Sequence, residues 1–527
     1  MDADSRVVQA LLVKDGRISE LGTTSSIMNK VSASVRVIDL QGRTLIPGFV
    51  DAHSHFPASG ISAVSVDLSQ PPIGVTDSLQ GLLDQIALAA KSRSGSEWLL
   101  GFNYDNTALR NGKHPTRQQL DAVAPDHAVY LWHSSGHMGV ANSKALSLLG
   151  IDENSVAPAG GVYGRDLQTG LLNGLLQEAA APLLATIVKE FSLSKQFRVL
   201  TWARDDYLSQ GVTTVQNGYA GVTMMRVLQL AKKFGVIPQR VIVWPAHAKN
   251  NSFDKPGPEI SEFEYKVGAI KILVDGSPQG MTAYLSEPYF NTRDNPADYR
   301  GFALIDQLAL TELVSRFHAA GHQLALHGNG DAAIEYIIDA VEVAQTAHPR
   351  TDARHIIVHA QTIRLDQLAR LNALSLTPSF FTSHTFYWGD WHRKQSLGSV
   401  RASNISPAHW ASVAGVPYTL HTDAPVTPMK PMQLLWSASN RMSSTGFELG
   451  RHQRISTDAA LRAITIDAAW QNHVEDAVGS LEPGKLADMV VLSDNPYTAT
   501  DVRELAVLAT YISGIQRYRH PSWLDTD

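Results

Sequence analysis

Residues 45–56 read LIPGFVDAHSHF, an apolar run that ends in His53 and His55. Alternate side chains of a strand share a face, so these imidazoles are expected to point the same way, with Ser54 turned aside. Two imidazoles converging from one rigid strand make half of a metal site. The plain alternative is a pair of surface histidines at the start of a loop. Other groups of ligand or titratable type close similar apolar runs downstream. Lys271 lies in GAIKILVDGS (268–277), His327 in QLALHGNGD (323–331), His359 in HIIVHAQT (355–362) and Asp423 in PYTLHTDAP (417–425).

These runs alternate with helical patterns. GVTTVQNG (211–218), QRVIVWPAH (239–247) and LSLTPSFF (374–381) complete a set of eight with the five already quoted. Helix-like segments such as MMRVLQLAKKFG (224–235), TELVSRFHAAG (311–321) and RLDQLARLNA (364–373) lie between them. Continuous apolar strands alternating with helices predict an α/β fold with a parallel sheet covered on both faces. Eight such strands would close a (β/α)₈ TIM barrel, whose active site is built at the C-terminal ends of the strands. His53, His55, Lys271, His327, His359 and Asp423 sit at or near those ends on five different strands. Ordinary loop chemistry would explain one or two of them; six at matching positions favour convergence at one mouth.

About 155 residues separate His55 from the next strand, far more than one crossover helix requires. Residues 57 to about 195 are therefore expected to form an insertion after the first barrel strand, lying over the mouth as a lid or pocket wall. It carries the strand-like AVYLWHSSGHMG (128–139) and the glycine-rich PAGGVYGRDLQTGLLNG (158–174). The two ends of the chain differ from the middle. ALLVKDGRISELG (10–22) reads as a hairpin turning at Asp15-Gly16, and GSLEPGKLADMVVLSDNP (479–496) is again strand and turn. The expected layout is a small composite β-sandwich from residues 1–46 and 472–527 around a barrel from 47–471.

Twenty histidines among 527 residues suit metal ligation, and the lack of any cysteine excludes disulfides, thiolate ligands and a cysteine nucleophile. The net charge of −6 comes from 44 basic and 50 acidic residues with no long block of either sign, which argues against a nucleic-acid partner. No apolar stretch approaches the roughly 20 residues that span a bilayer, so no membrane association is expected. The start, MDADSRVVQA, has no basic segment followed by an apolar one, so a cytoplasmic location is expected.

In combination, PGFVDAHSH, HGNGD, HTDAP and GSLEPGKLADMVVL resemble the amidohydrolase superfamily. IKILVDGSPQGMTAYLSEPY (270–289) and SSGHMGVANSKAL (134–146) are similar to motifs of its YtcJ-like branch, which includes N-substituted formamide deformylases. The resemblance spans nearly the whole chain. It implies the barrel, the composite sandwich and hydrolysis of an amide-like bond; it also implies one more N-terminal strand than precedes the hairpin here. His53 and His55, with Asp423, would hold a first divalent metal, expected to be zinc, and His327 and His359 a second. Zinc takes neutral imidazole and carboxylate and leaves one position for water in a catalytic site. In this family a lysine at the position of Lys271 can be carboxylated, and the carbamate would bridge two cations. Without it a single ion is expected, and the alternative for Lys271 is an ordinary substrate-anchoring or salt-bridged amine.

A metal lowers the pKa of water from 15.7 towards about 7. Asp423 is placed to take that proton and return it to a departing amine, as general base and then general acid. His137 is a candidate to contact the substrate carbonyl oxygen, or else a loop histidine satisfied by backbone. For Asp275 and Asp331, capping of a following loop or helix is the alternative to catalysis. The loop SFFTSHTFYWGDWH (379–392), with Phe102, Tyr104 and Trp132 of the insertion, is aromatic enough to suggest a small apolar or aromatic substrate. His384, Tyr387 and Trp388, with Tyr104, are the candidate contacts, though the same rings could instead pack the lid onto the barrel. Arg165 could recognise a carboxylate, but an exposed salt bridge suits it better. Metal-dependent hydrolysis of a C–N bond is the expected activity. The alternatives are a one-metal deaminase of a heterocycle on the same scaffold and a metal-free scaffold protein. A homodimer is compatible with the sequence.

Overall fold

Valine, isoleucine and leucine runs form eight short parallel strands in a computed structural model, which describes residues 6–523 except 94, 96, 110, 111, 159, 182–186, 248–262 and 294. They are β1 (Phe49–Val50), β2 (Val212–Ala220), β3 (Arg240–Pro245), β4 (Ile270–Leu273), β5 (Leu324–Gly328), β6 (His355–His359), β7 (Leu376–Phe380) and β8 (Thr419–Leu420). Each occupies one of the eight apolar runs read from the sequence. One sheet carries β1, β2 and β3 side by side, with Tyr265–Val267 beyond β3, and a second runs β4 through β8 in order. All residues of β5, β6 and β7 are buried, as strands covered on both faces must be.

Hydrogen bonds tie the two sheets at both edges. Ala246 bridges Lys271 beside β3 and β4, where His247 N–H donates to the Lys271 carbonyl at 2.8 Å. Past β8 and β1, Asp423 N–H donates to the His53 carbonyl at 3.1 Å and His55 N–H to the Ala424 carbonyl at 2.8 Å. The α/β arrangement is consistent with a (β/α)₈ barrel. Its helices start where the side-chain chemistry allows: Asp306 caps Gln307–Ala319 by accepting from Ala309 N–H. The helix Asp331–Ala347 buries Ile334, Ile337, Ile338 and Val341, a stripe at helical spacing.

The apolar run 45–56 is divided between two sheets. Thr44–Pro47 pairs antiparallel with Met489–Leu492, and Phe49–Val50 pairs with β2. The chain crosses between sheets at Gly48, where a Cβ would lie 2.2 Å from the Thr213 hydroxyl; only glycine permits that approach. His53 and His55 therefore follow the strand instead of lying in it.

The hairpin Ala10–Lys14/Arg17–Gly22 turns through Asp15 and Gly16 with φ of 51° and 76°, as a tight two-residue turn requires. Its Ile18 packs with Met489, Val491, Leu508 and Trp523. The sheet beneath it is ordered Ile515–Arg519, Val507–Ile512, Met489–Leu492, Thr44–Pro47. Buried Arg240 of β3 anchors this sheet to the parallel strands through a two-pronged pair with Asp488, at 2.8 and 3.0 Å. Between β1 and β2 a six-stranded sheet runs Val66–Asp67, Leu99–Tyr104, Val129–His133, Met138–Ala141, Leu172–Glu178, Gly161–Arg165. Among the described residues no helix is long and apolar enough to cross a membrane.

Candidate metal centre

His53 and His55 meet Asp423 where β1 and β8 adjoin. The two Nε2 atoms lie 3.3 and 3.1 Å from one carboxylate oxygen, Asp423 Oδ1. No hydrogen bond satisfies that buried oxygen. Asp423 has φ of 53°, and His359 at the end of β6 has φ of 77°. Left-handed backbone at a non-glycine residue costs on the order of 1 kcal/mol and collects at functional sites. Here it points both side chains into one cluster.

Lys271, inside β4 and 1% exposed, lies with Nζ 3.1 Å from His53 Nε2. His359 Nε2 faces His327 Nδ1 at 3.1 Å, and its Nδ1 meets His421 Nε2 at 3.0 Å. Single ligand atoms of His53, His359 and Asp423 all lie within 4.8 Å of one another. His359 thus approaches the His53–Asp423 group as well as His327, so the candidate ligands do not divide cleanly into the expected sets of three and two.

Electrostatics favours ligand-competent states. Burial, reinforced by the positive charge of Lys271, holds His53 well below the ordinary imidazole range; burial also holds His327 and His359 there. Burial pushes the Lys271 amine down to about 7. Burial raises the Asp423 carboxyl, but the nearness of His55, with His421 and Lys271, outweighs it and holds the carboxyl below its usual range.

The residues fit a divalent cation on two grounds. One is the unsatisfied Asp423 oxygen flanked by two imidazoles. The other is the tautomer of His53. Gln216 Nε2 donates to the Ala52 carbonyl at 3.2 Å, and its Oε1 accepts from Ser54 N–H at 3.1 Å. The Oε1 that lies 3.0 Å from His53 Nδ1 is therefore an acceptor. The ring hydrogen sits on Nδ1, and Nε2 presents a lone pair to the cluster.

The insertion reaches the same place. His137, in the turn between Val129–His133 and Met138–Ala141, has its ring 5.3 Å from that of His327. Its Nδ1 donates to Glu178 Oε2 at 2.8 Å, and Glu178 Oε1 is buried without a partner. Burial opposes the imidazolium, but Glu178 outweighs it and raises His137 above the ordinary range. The sequence reading missed Glu178, Gln216 and His421. Gln216 closes an apolar run as the candidate ligands do, and His421 stands two residues before Asp423, so position offered a signal for both. Glu178 lies in the insertion with no such pattern around it.

Asp275 is fully buried and accepts backbone N–H groups of Tyr284 at 2.9 Å, Asn329 at 2.9 Å and Gly330 at 2.8 Å. Its work is to pin the loops after β4 and β5 beneath His327. Asp275→Ala leaves these donors unsatisfied. It is expected to destabilise the protein by about 3 kcal/mol, read as a lowered midpoint in denaturant. Asp331 accepts from Ser286 and Arg364 at the start of its helix. Arg165 pairs with Glu153 at 3.7 Å on the surface.

The aromatic candidates separate. Tyr104 is fully buried and bonds His114 Nδ1 at 2.9 Å, within the insertion. Trp388 is 4% exposed and donates its Nε1–H to Asp105 Oδ2 at 2.6 Å, joining the segment after β7 to the insertion. His384 packs on Phe381 at 4.4 Å and bonds His392 at 3.0 Å. Phe381 in turn lies 5.0 Å from the His421 ring. Tyr387 is partly exposed beside Trp388. The stretch expected as a loop is largely helical, over His384–Tyr387 and Gly389–Trp391.

An α/β fold whose strand ends gather histidines, a lysine and an aspartate defines a class of metal-dependent hydrolase. The chain belongs to the amidohydrolase family, whose model matches residues 36–518; it is a hydrolase of carbon–nitrogen bonds other than peptide bonds. It is 29% identical to N-substituted formamide deformylase of Arthrobacter pascens, over 98% of this chain and 96% of that one. It is 30% identical to YtcJ of Bacillus subtilis (strain 168), a protein assigned provisionally as an amidohydrolase, over 95% and 93%. An uncharacterised metal-dependent hydrolase from Pyrococcus furiosus superposes with a TM-score of 0.70 at 26% identity, covering 93% and 95% of the two chains.

Proposed function

We propose that the protein hydrolyses the C–N bond of a small amide, formamide or cyclic amide with an apolar or aromatic substituent. The observation that carries this reading is the convergence of His53 and His55 on the unsatisfied Asp423 oxygen, with Lys271, His327 and His359 alongside. Likeness to a formamide deformylase along nearly the whole of both chains supports the substrate class. In this proposal the seam hydrogen bonds close the strands of residues 47–471 into an eight-stranded barrel. Residues 1–46 and 472–527 form the composite sandwich, and 57–195 is the lid.

His53, His55, His359, His327 and Asp423 would hold zinc. Lys271, buried and set against His53 Nε2 instead of a carboxylate, would bridge two ions as its carbamate. A bound cation supplies Lewis acidity and lowers the pKa of water towards about 7. Asp423 takes the proton of the attacking water and returns it to the leaving nitrogen. His137, oriented by Glu178, donates a hydrogen bond to the substrate oxygen as negative charge develops there. His384, Tyr387, Trp388 and Tyr104 belong to the wall between lid and mouth in this reading; only Tyr387 among them keeps appreciable exposure.

The test is a panel of N-formyl and N-acyl amines, with the released amine and carboxylate both quantified. Turnover of amino-heterocycles to ammonia without a new carboxylate would replace this reading with deamination. Glu178→Gln is expected to lower kcat on the order of 10-fold to 100-fold with zinc content unchanged. Unaltered kcat would remove His137 and Glu178 from the reaction.

A further inference from the structure

The Ala52 carbonyl, one residue before His53, accepts from two glutamines on different elements: Gln216 Nε2 at 3.2 Å and Gln471 Nε2 at 2.9 Å. A carbonyl only accepts, so each amide turns its Oε1 the other way. Gln216 Oε1 leads directly to His53. Gln471 Oε1 leads across the floor of the site. It accepts from Thr419 Oγ1 at 2.6 Å; Thr419 Oγ1 lies 2.7 Å from Ser379 Oγ, and Ser379 Oγ lies 3.0 Å from His421 Nδ1. His421 Nε2 then lies 3.0 Å from His359 Nδ1. All five side chains are buried.

Proton counting gives this row a direction. Thr419 has one hydroxyl hydrogen, and Gln471 Oε1 can only accept it. Thr419 must then accept from Ser379, and Ser379 from His421 Nδ1–H. His421 Nε2 is left bare and accepts from His359 Nδ1–H. The row ends with a lone pair on His359 Nε2, the atom that faces His327 Nδ1 at 3.1 Å. Both rows start from one backbone carbonyl, and both end on an imidazole in the required tautomer.

We infer that Gln471, Thr419, Ser379 and His421 are positioning residues that set the tautomer of His359 for metal binding. This rests on the metal reading of the site. Thr419 is the informative link, because valine matches its shape and removes only the hydroxyl. In Thr419→Val, Ser379 is free to donate to His421 Nδ1. The row reverses, and the hydrogen moves to His359 Nε2.

The test is zinc affinity, measured by competition with a chromogenic chelator on the metal-free protein, with zinc alone as probe. Thr419→Val is expected to weaken zinc binding by about 10-fold to 100-fold with an unchanged circular-dichroism spectrum. Thr419→Ser should restore it. Ser379→Ala, which strips the acceptor from His421, should weaken it in the same direction and serves if the valine variant does not fold. Zinc affinity within twofold of the native value in both variants overturns the inference and leaves the metal reading standing. So does a serine variant as weak as the valine one, since packing would then be the cause. A native protein that binds no zinc overturns the metal reading itself, and this inference with it.

Discussion

Asp423→Asn is expected to lower kcat by roughly 10³-fold, the middle of the range for losing a positioned general base, while the protein stays folded. Asparagine keeps an oxygen at Oδ1, the atom 3.3 and 3.1 Å from the two imidazoles, so the geometry survives. It cannot carry a proton between water and the leaving nitrogen. The native carboxyl suits that task because His55 helps to keep it ionised despite its burial. Steady-state rates on the best N-formyl or N-acyl amine, with zinc content measured on the same samples, check this. A variant that keeps the native kcat would be incompatible with the role given to Asp423.

Removal of metal by a chelator is expected to bring hydrolysis to background, and added zinc to restore it. The same cycle should move stability. A ligand that binds only the folded state at about 1,000 times its Kd stabilises it by about 4 kcal/mol. Here it would also relieve a cluster that without a cation holds an unsatisfied carboxylate oxygen and several buried imidazoles. Activity and thermal midpoint should therefore rise together during zinc titration. Undiminished turnover by protein shown by elemental analysis to be metal-free would exclude metal-dependent hydrolysis.

The candidate ligand types were legible because their signal is local. An apolar run ending in His, Lys or Asp marks a strand and its end, and His53, His55, Lys271, His327, His359 and Asp423 do gather as that pattern suggests. Alternation puts His53 and His55 within the first strand, whereas the strand ends at Val50, and what fixes the crossing at Gly48 is not local. Gly48 is glycine on account of Thr213, a neighbour more than 160 positions away. Aromatic composition was a weaker guide. Tyr104 and Trp388 look alike in sequence as mouth residues, yet one is bonded within the insertion and the other fastens the insertion to the segment after β7.

By itself the sequence determined the strand series, the long stretch that separates its first two strands and the residue types able to hold a cation. Each of these depends on neighbours along the chain, through the alternation of apolar strands with helices and the polar residues at strand ends. Only the tertiary structure decided which oxygen His53 and His55 share, that Glu178 orients His137, and which nitrogen of His53 and His359 faces the centre. Those depend on hydrogen-bond partners far away in sequence. A tautomer is set by the last fixed acceptor in a row of bonds, here the Ala52 carbonyl, and no local pattern marks such a row.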